Sequence, residues 1–304
     1  MSGGLDDTAV GQVIDARFDA FGDTLGPHLR PGFDALLARR KWGAAHPGWY
    51  TAPESQPIVV LVRQVAEAFA DALPTDAVLD AVESAMLGYA YVRVHDDWLD
   101  DGVLAGDAPT TALLADALFA RHQAVTARAV GGDASYWDLF ARTWADFGEA
   151  MLLERDLLAG KGTYDAAAFE SVLLRSRPML LPPAALLTRA RETDRIPALT
   201  TLVHAVARAS QLLDDAVDVL DDYDAGAMNY LVQRFGGRHG REALLMGWVL
   251  GGFATAWEEA DDALGIAETA AVDVGIGPAF AAFADQRRVV MERIKDAAWS
   301  RIAP

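Results

Sequence analysis

The stretch Ala85-Met86-Leu87-Gly88-Tyr89-Ala90-Tyr91-Val92-Arg93-Val94-His95-Asp96-Asp97-Trp98-Leu99-Asp100-Asp101 decides what kind of chain this is. Reading back from Asp96, the stripe is Val92, Tyr89, Ala85, Val82 and Val78, in alternating steps of four and three. That period belongs to one face of an α-helix, the face that turns towards a core. Asp96 stands on this line, and Asp100 continues it one turn later. A carboxylate on a core-facing stripe is costly unless a cation meets it. A second stretch of the same kind, Asp214-Asp215-Ala216-Val217-Asp218, begins 118 residues after Asp96 and repeats the D-D-x-x-D spacing. The two clusters are expected to face each other and hold metal ions between them.

The bulk numbers set the frame. The 304 residues are 52% hydrophobic, enough for a sizeable core. Lys and Arg number 26 against 44 Asp and Glu, a formal charge of -18, which argues against nucleic acid or an anionic membrane surface as partner. Cysteine is absent, so disulfides and thiolate metal sites are excluded. Residues 1–9 lack the basic start and apolar centre of a signal peptide and are expected to be disordered. No apolar run is long enough for stable membrane insertion. The expectation is a soluble, cytoplasmic protein.

Helical period runs through nearly every long segment. Val10, Val13, Ile14, Phe18 and Phe21 predict a first helix; residues 42–57, with Trp42, Trp49, Pro53 and Pro57, predict a loop. Pro57 suits the first turn of the next helix, which runs to about Leu73, and Thr75 is placed to cap the helix of the first cluster. A loop is expected from Gly102 to Pro109, then a helix to about Val130, broken by Gly131-Gly132. Trp137, Phe140, Trp144, Phe147 and Met151 line one face of the following helix. Pro178 interrupts the next, Pro197 opens the helix of the second cluster, and two last helices are expected over about 240–263 and 278–302. No linker divides the chain, so residues 1–304 are read as one all-α domain of about ten to twelve helices.

On its helix the second cluster places Gln211, Asp214, Asp215, Asp218 and Asp222 at i, i+3, i+4, i+7 and i+11, on one face. Like charges at that spacing repel, so a surface helix gains nothing from them. Oxygen-only ligands suit a hard ion such as magnesium, which fills its remaining positions with water and phosphate oxygens. A polyphosphate substrate is implied. An EF-hand is excluded, because neither cluster has acids at alternate positions with a glycine at the sixth. There is no Walker A loop, HExxH, Gly-x-Ser-x-Gly or Rossmann fingerprint.

Val94-His95-Asp96-Asp97 and Gln211-Leu212-Leu213-Asp214-Asp215, each on a long apolar helix, resemble the two aspartate-rich motifs of the class I isoprenoid synthases. Gly226-Ala227-Met228-Asn229-Tyr230-Leu231 falls where relatives carry a diphosphate-side loop. The resemblance implies a multi-helix bundle around a central cavity and an allylic prenyl diphosphate substrate. It implies roughly three magnesium ions, bound with that diphosphate through Asp96, Asp97, Asp100, Asp101, Asp214, Asp215 and Asp218. Arg175, and beside it Arg177, are the counterparts of the basic residue that binds or senses diphosphate ahead of the second motif. Gln211 and Asn229 join the substrate contacts. Residues ahead of the first motif would set chain length: Val92 and Gly88 on the pocket wall, Tyr89 flanking, with Gly88 leaving room for the prenyl tail. Phe147, if it faces the cavity, could stabilise a carbocation with its π-face. A second copy of the chain is a candidate partner.

The chain also departs from its relatives. Chain-elongating synthases carry a basic Gly-Gly-Lys-Arg-type motif early on; here only His28-Leu29-Arg30-Pro31 and Arg39-Arg40-Lys41 are found. The Asn…Ser…Glu triad and late Arg-Tyr pair of microbial cyclases are absent, although Arg287-Arg288 could supply late cationic contacts. An outlying branch is implied, similar to prenyltransferases that serve an unusual acceptor. A terpene cyclase and a non-catalytic partner subunit are the alternatives.

Overall fold

The computed structural model describes residues 7–42, 58–101 and 108–302, with side chains for 8–42, 58–96 and 108–296. Among the described residues there is no strand. Helix α1 (Asp7–Thr24) starts inside the segment expected to be disordered and buries Val10, Ile14, Phe18 and Phe21, on the predicted stripe. It is followed by α2 (Arg30–Arg40), α3 (Ile58–Ala68), α4 (Thr75–Asp101) and α5 (Ala108–Val130). Thr75 lies within α4 and is not its cap; the Pro74 carbonyl accepts from the amides of Ala77 and Val78. Pro109, expected in a loop, sits in the first turn of α5, where a missing N–H costs nothing.

The contacts gather the chain into two compact units, each discontinuous in sequence: residues 1–139 with 179–193, and 140–178 with 194–304. In the first, α4 is the central element, packed on α1, α3, α5 and α8 (Leu181–Ala190). Its residues 80–88 are buried on every side. Two of them are acids, Asp80 and Glu83, and three arginines close over them. Arg17 donates to Asp80 at 2.7 Å and to Glu83 at 2.9 Å; Arg121 holds Glu83 at 2.5–2.9 Å; Arg128 holds Asp80 at 3.0–3.1 Å. Burial of both carboxylates is tolerable only because each is paired.

In the second unit, most of α6 (Ala134–Leu158) precedes α7 (Ala166–Val172) and a 3₁₀ segment, Leu173–Leu180, whose residues up to Pro178 belong to this unit. The longest helix, α9 (Ile196–Ala225), lies along α12 (Phe253–Val274), and α13 (Gly277–Ile302) packs on α12. Short helices α10 (Tyr230–Arg234) and α11 (Arg241–Gly247) lie between α9 and α12 in sequence. The helix expected over about 240–263 is in fact two. A π-helical turn at Trp248–Gly252 separates α11 from α12, and α12 runs on to Val274. The backbone leaves helical geometry at Gly251, and the glycines at either end of the break are closely packed. A Cβ on Gly247 would collide with the Phe235 carbonyl oxygen, and one on Gly252 would come within 2.8 Å of the Phe235 and Trp248 rings. Leu212, Ala216, Val219, Tyr230, Trp248 and Trp257 belong to the core of this unit.

Candidate active site

The first acidic cluster ends α4. Asp96 is half-buried and ion-paired with Arg93 one turn back. Asp97, Asp100 and Asp101 continue the helix, but their side chains lie outside the described residues. His95 takes a structural place: its Nδ1 lies 3.0 Å from the Tyr91 carbonyl oxygen and its ring packs on Tyr91 at 4.2 Å. Val92 is half-buried, and the Tyr89 ring meets Trp42 at 5.6 Å. Gly88 departs from expectation. The space beside it is filled by the His122 ring, the nearest atom 3.2 Å from where a Cβ would stand. Its lack of a side chain lets α5 pack closely on α4.

The second cluster is split by its own helix. Residues 214 and 215 are ~100° apart around α9, so the shared stripe has two edges. Gln211, Asp215 and Asp222 lie along one edge, which is buried at Asp215; Asp214 and Asp218 lie along the other, which is exposed. Five groups expected to act as one face therefore do two things.

On the buried edge, Gln211 Nε2 donates to Asp215 Oδ1 at 2.7 Å. Arg175 donates to Gln211 Oε1 and, at 2.5 Å, to Glu154 Oε2. Asp215 is 5% exposed, its Oδ2 has no hydrogen-bond partner in the protein, and burial pushes its carboxyl up to about 7. The Gln211 hydrogen bond opposes that shift; Glu154 adds to it. Asp222 is likewise raised by burial, against the pull of a 2.7 Å hydrogen bond from Asn229 Nδ2. Asn229 is also the N-cap of α10, accepting from the Val232 amide at 2.8 Å. It thus clamps α10 to α9.

On the exposed edge, Asp214 borders a cavity of about 100 Å³ walled by Val206, Leu213, Leu264, Phe283, Met291 and Ile294. Although Asp214 reaches solvent, loss of hydration raises its carboxyl first; Asp218 adds repulsion, and Arg175 and Arg287 pull the other way. Arg287 lies on the cavity wall, its guanidinium over the Phe283 ring at 5.1 Å.

Of the two arginines expected near the diphosphate, Arg175 belongs to this cluster and Arg177 is paired with Asp146. Phe147 is buried, its ring edge-on to Trp144 at 5.4 Å. Glu154 was not among the expected site residues. Its signal was present: Phe147, Met151 and Glu154 follow one another at steps of four and three, so an acid stands on an apolar stripe just as Asp96 does.

The acidic cluster on α9 offers carboxylate and amide oxygens, and a buried carboxylate with an unpartnered oxygen, as at Asp215, suits a hard cation. Among the described residues, no three acidic or histidine side chains are gathered into a preformed metal site. Such an ion would complete its shell with water and phosphate oxygens.

No protein-family model matches the chain, and no curated protein matches it. Among solved structures, the crystal structure of a geranyltranstransferase from Thermotoga maritima superimposes with a TM-score of 0.68. The match covers 94% of this chain and 98% of that one. The chain has the isoprenoid synthase fold. Identity across the isoprenoid synthase match is 13%, so what is shared is the path of the backbone. Within that fold α4 and α9 are the helices that bear the aspartate clusters. Among the described residues no helix is long and apolar enough to cross a membrane.

Proposed function

We propose that this chain is a magnesium-dependent class I isoprenoid synthase that ionises an allylic prenyl diphosphate and passes the prenyl group to an acceptor. One observation carries the proposal: a chain with the isoprenoid synthase fold places D-D-x-x-D clusters on α4 and α9, and on α9 loss of hydration raises the carboxyls of Asp214 and Asp215 even with Arg175 nearby. Asp96, Asp97, Asp100 and Asp101, with Asp214, Asp215 and Asp218, would hold the metal. Bound there, magnesium would supply charge neutralisation for the departing diphosphate.

The allylic C–O bond breaks heterolytically and its electron pair leaves with the diphosphate. The acceptor then bonds to the allylic carbon and gives up a proton. Arg175, held between Glu154 and Gln211, puts a fixed positive charge beside Asp214 and Asp215, where the leaving group would gather. Gln211 fixes Asp215. Apolar walls would exclude water from the cation. The early basic motif of chain-elongating synthases is absent, and Arg30 is occupied by Asp23 and Asp34, which favours an acceptor other than isopentenyl diphosphate. The proposal includes a cytoplasmic setting, no nucleic-acid partner and a second copy of the chain as candidate partner.

The test is mass spectrometry of products from geranyl, farnesyl and geranylgeranyl diphosphates with magnesium, with and without added acceptors. Diphosphate release and a prenylated acceptor are expected. A terpene formed with no acceptor would replace transfer by cyclisation, and no diphosphate release from any substrate would end the proposal.

A further inference from the structure

Two buried polar atoms near the α9 cluster have no protein partner: the Tyr164 hydroxyl and Asp215 Oδ2. Tyr164 is 3% exposed, so its hydroxyl cannot turn to bulk solvent. The residue is fixed on several sides. Its amide donates to Gln233 Oε1 at 3.0 Å, and its ring meets Tyr230 at 5.9 Å and Phe169 at 6.4 Å. Tyr230 follows Asn229, whose side chain is 3.5 Å from the Asp215 carbonyl oxygen. Tyr164 shares its buried core with Leu212 and Ala216, which flank Asp215 on α9, and with Leu157, one turn beyond Glu154 on α6. The charges that act on its hydroxyl are those of Glu154 and Asp215, which raise its pKa further after burial has done so, and that of Arg175, which lowers it.

Asp215 is held at one oxygen only. Gln211 fixes Oδ1 at 2.7 Å, and nothing in the protein fixes Oδ2. A hydroxyl and a carboxylate oxygen that are both buried, unpartnered and set in one packed core call for a small intermediary with donors and an acceptor. Water has both, and a buried water typically makes about three hydrogen bonds.

We propose that Tyr164 is a positioning residue for Asp215, acting through one buried water that accepts from the Tyr164 hydroxyl and donates to Asp215 Oδ2 and to the Glu154 carboxylate. The positioning role rests on the proposed function, because it matters only if Asp215 serves the metal. The water site does not. With both oxygens of Asp215 tethered, the carboxylate presents one fixed set of lone pairs. With Oδ2 released, it can rotate about χ2. Groups that orient a metal ligand from behind typically alter metal affinity by about 10–100-fold when removed.

The experiment compares wild type with Tyr164→Phe, which keeps the ring packing and deletes only the hydroxyl. A crystal structure of the wild type near 1.5 Å should show one water within hydrogen-bonding distance of all three groups, and Tyr164→Phe should lose it. Magnesium titrated in the presence of inorganic diphosphate, read by thermal shift, should need an about tenfold higher half-saturating concentration in Tyr164→Phe, with unchanged stability in metal-free buffer. Well-ordered side chains with no water between them in the wild type would overturn the site, whether or not the variant folds. A water lost without any change in magnesium half-saturation would overturn the positioning role. A water present in a wild type that does not respond to magnesium and diphosphate would overturn the proposed function and leave the water site standing.

Discussion

The imidazole of His122 stands against Gly88, where a Cβ would be 3.2 Å from its Cε1. The ring has little freedom to retreat. Its Nδ1 lies 3.0 Å from the Ser84 carbonyl oxygen and 3.2 Å from Ser84 Oγ, and Ser84 Oγ in turn lies 2.7 Å from Thr126 Oγ1. Helices α4 and α5 are pinned together at this point.

Gly88→Ala therefore sets two effects against each other. Alanine gains about 1 kcal/mol of helix propensity, and overpacking against a pinned ring costs about 1–3 kcal/mol. A net loss of about 1 kcal/mol is expected in urea denaturation, and Gly88→Phe should not give folded protein. An alanine variant more stable than wild type would show that the ring yields.

His122 also makes stability depend on pH. Burial pushes its pKa down to about 4, against about 6.5 in the unfolded chain. Between those values the unfolded state binds more protons, so stability is full above about pH 6.5 and falls as pH drops towards 4, by up to roughly 3 kcal/mol. Urea midpoints from pH 7 to 4.5 should fall more steeply in wild type than in His122→Gln. Equal slopes would mean that His122 ionises without unfolding.

Asp215 carries the opposite sign. Its folded pKa, about 7, lies above the unfolded value of 3.8, so the fold favours the protonated form. Its contribution is most favourable below about pH 4 and is lost as pH rises through 7. Asp215→Asn, which can keep the Gln211 hydrogen bond, should raise stability at pH 8 by about 2 kcal/mol and by less at pH 5, while removing turnover. A variant less stable than wild type at pH 8 would show that the ionised carboxylate is well accommodated.

Much of this was legible from period alone. The stripe from Val78 to Asp96 located α4, and the repeated D-D-x-x-D spacing singled out α9. What period cannot supply is the neighbour that covers a face. Asp80 and Glu83 find arginines 38 to 66 residues away in the sequence. His122 takes the place given to a prenyl tail beside Gly88. The π-turn before α12 coincides with Gly247 and Gly251-Gly252, a local signal that period alone passes over, and the contacts of Gly247 and Gly252 with Phe235 lie outside any local pattern. The division between Asp214 and Asp215 was within reach, since ~100° separates consecutive residues; spacing three and four had merged them.

Magnesium with inorganic diphosphate should stabilise the protein more than either alone, because each fills coordination or charge that the other needs. At a hundredfold over the dissociation constant the gain is about 2.7 kcal/mol, visible as a melting temperature higher by a few degrees. No shift at saturation would count against the site.

Asp96→Ala or Asp214→Ala should each lower turnover by on the order of a thousandfold, about 4 kcal/mol of barrier. Arg175→Ala should cost less turnover but more stability than either, because it leaves Glu154 and Gln211 without their shared donor. Steady-state kinetics beside urea melts would separate the two. Near-normal turnover in both aspartate variants would remove the clusters from the chemistry.

The discontinuity of the two units has a consequence for synthesis on the ribosome. The first unit lacks α8 until residue 193 has been made, and Leu181–Thr188 are buried throughout, packed on α3, α4 and α5. A nascent chain that stops at residue 139 would leave those three helices with an uncovered apolar face. At about 5–20 residues per second the missing piece follows several seconds later. During that interval residues 140–178 have emerged without 194–304, the rest of their own unit. Neither unit is complete in one contiguous stretch, so two products cut at residue 139 are each expected to fold less well than the whole chain.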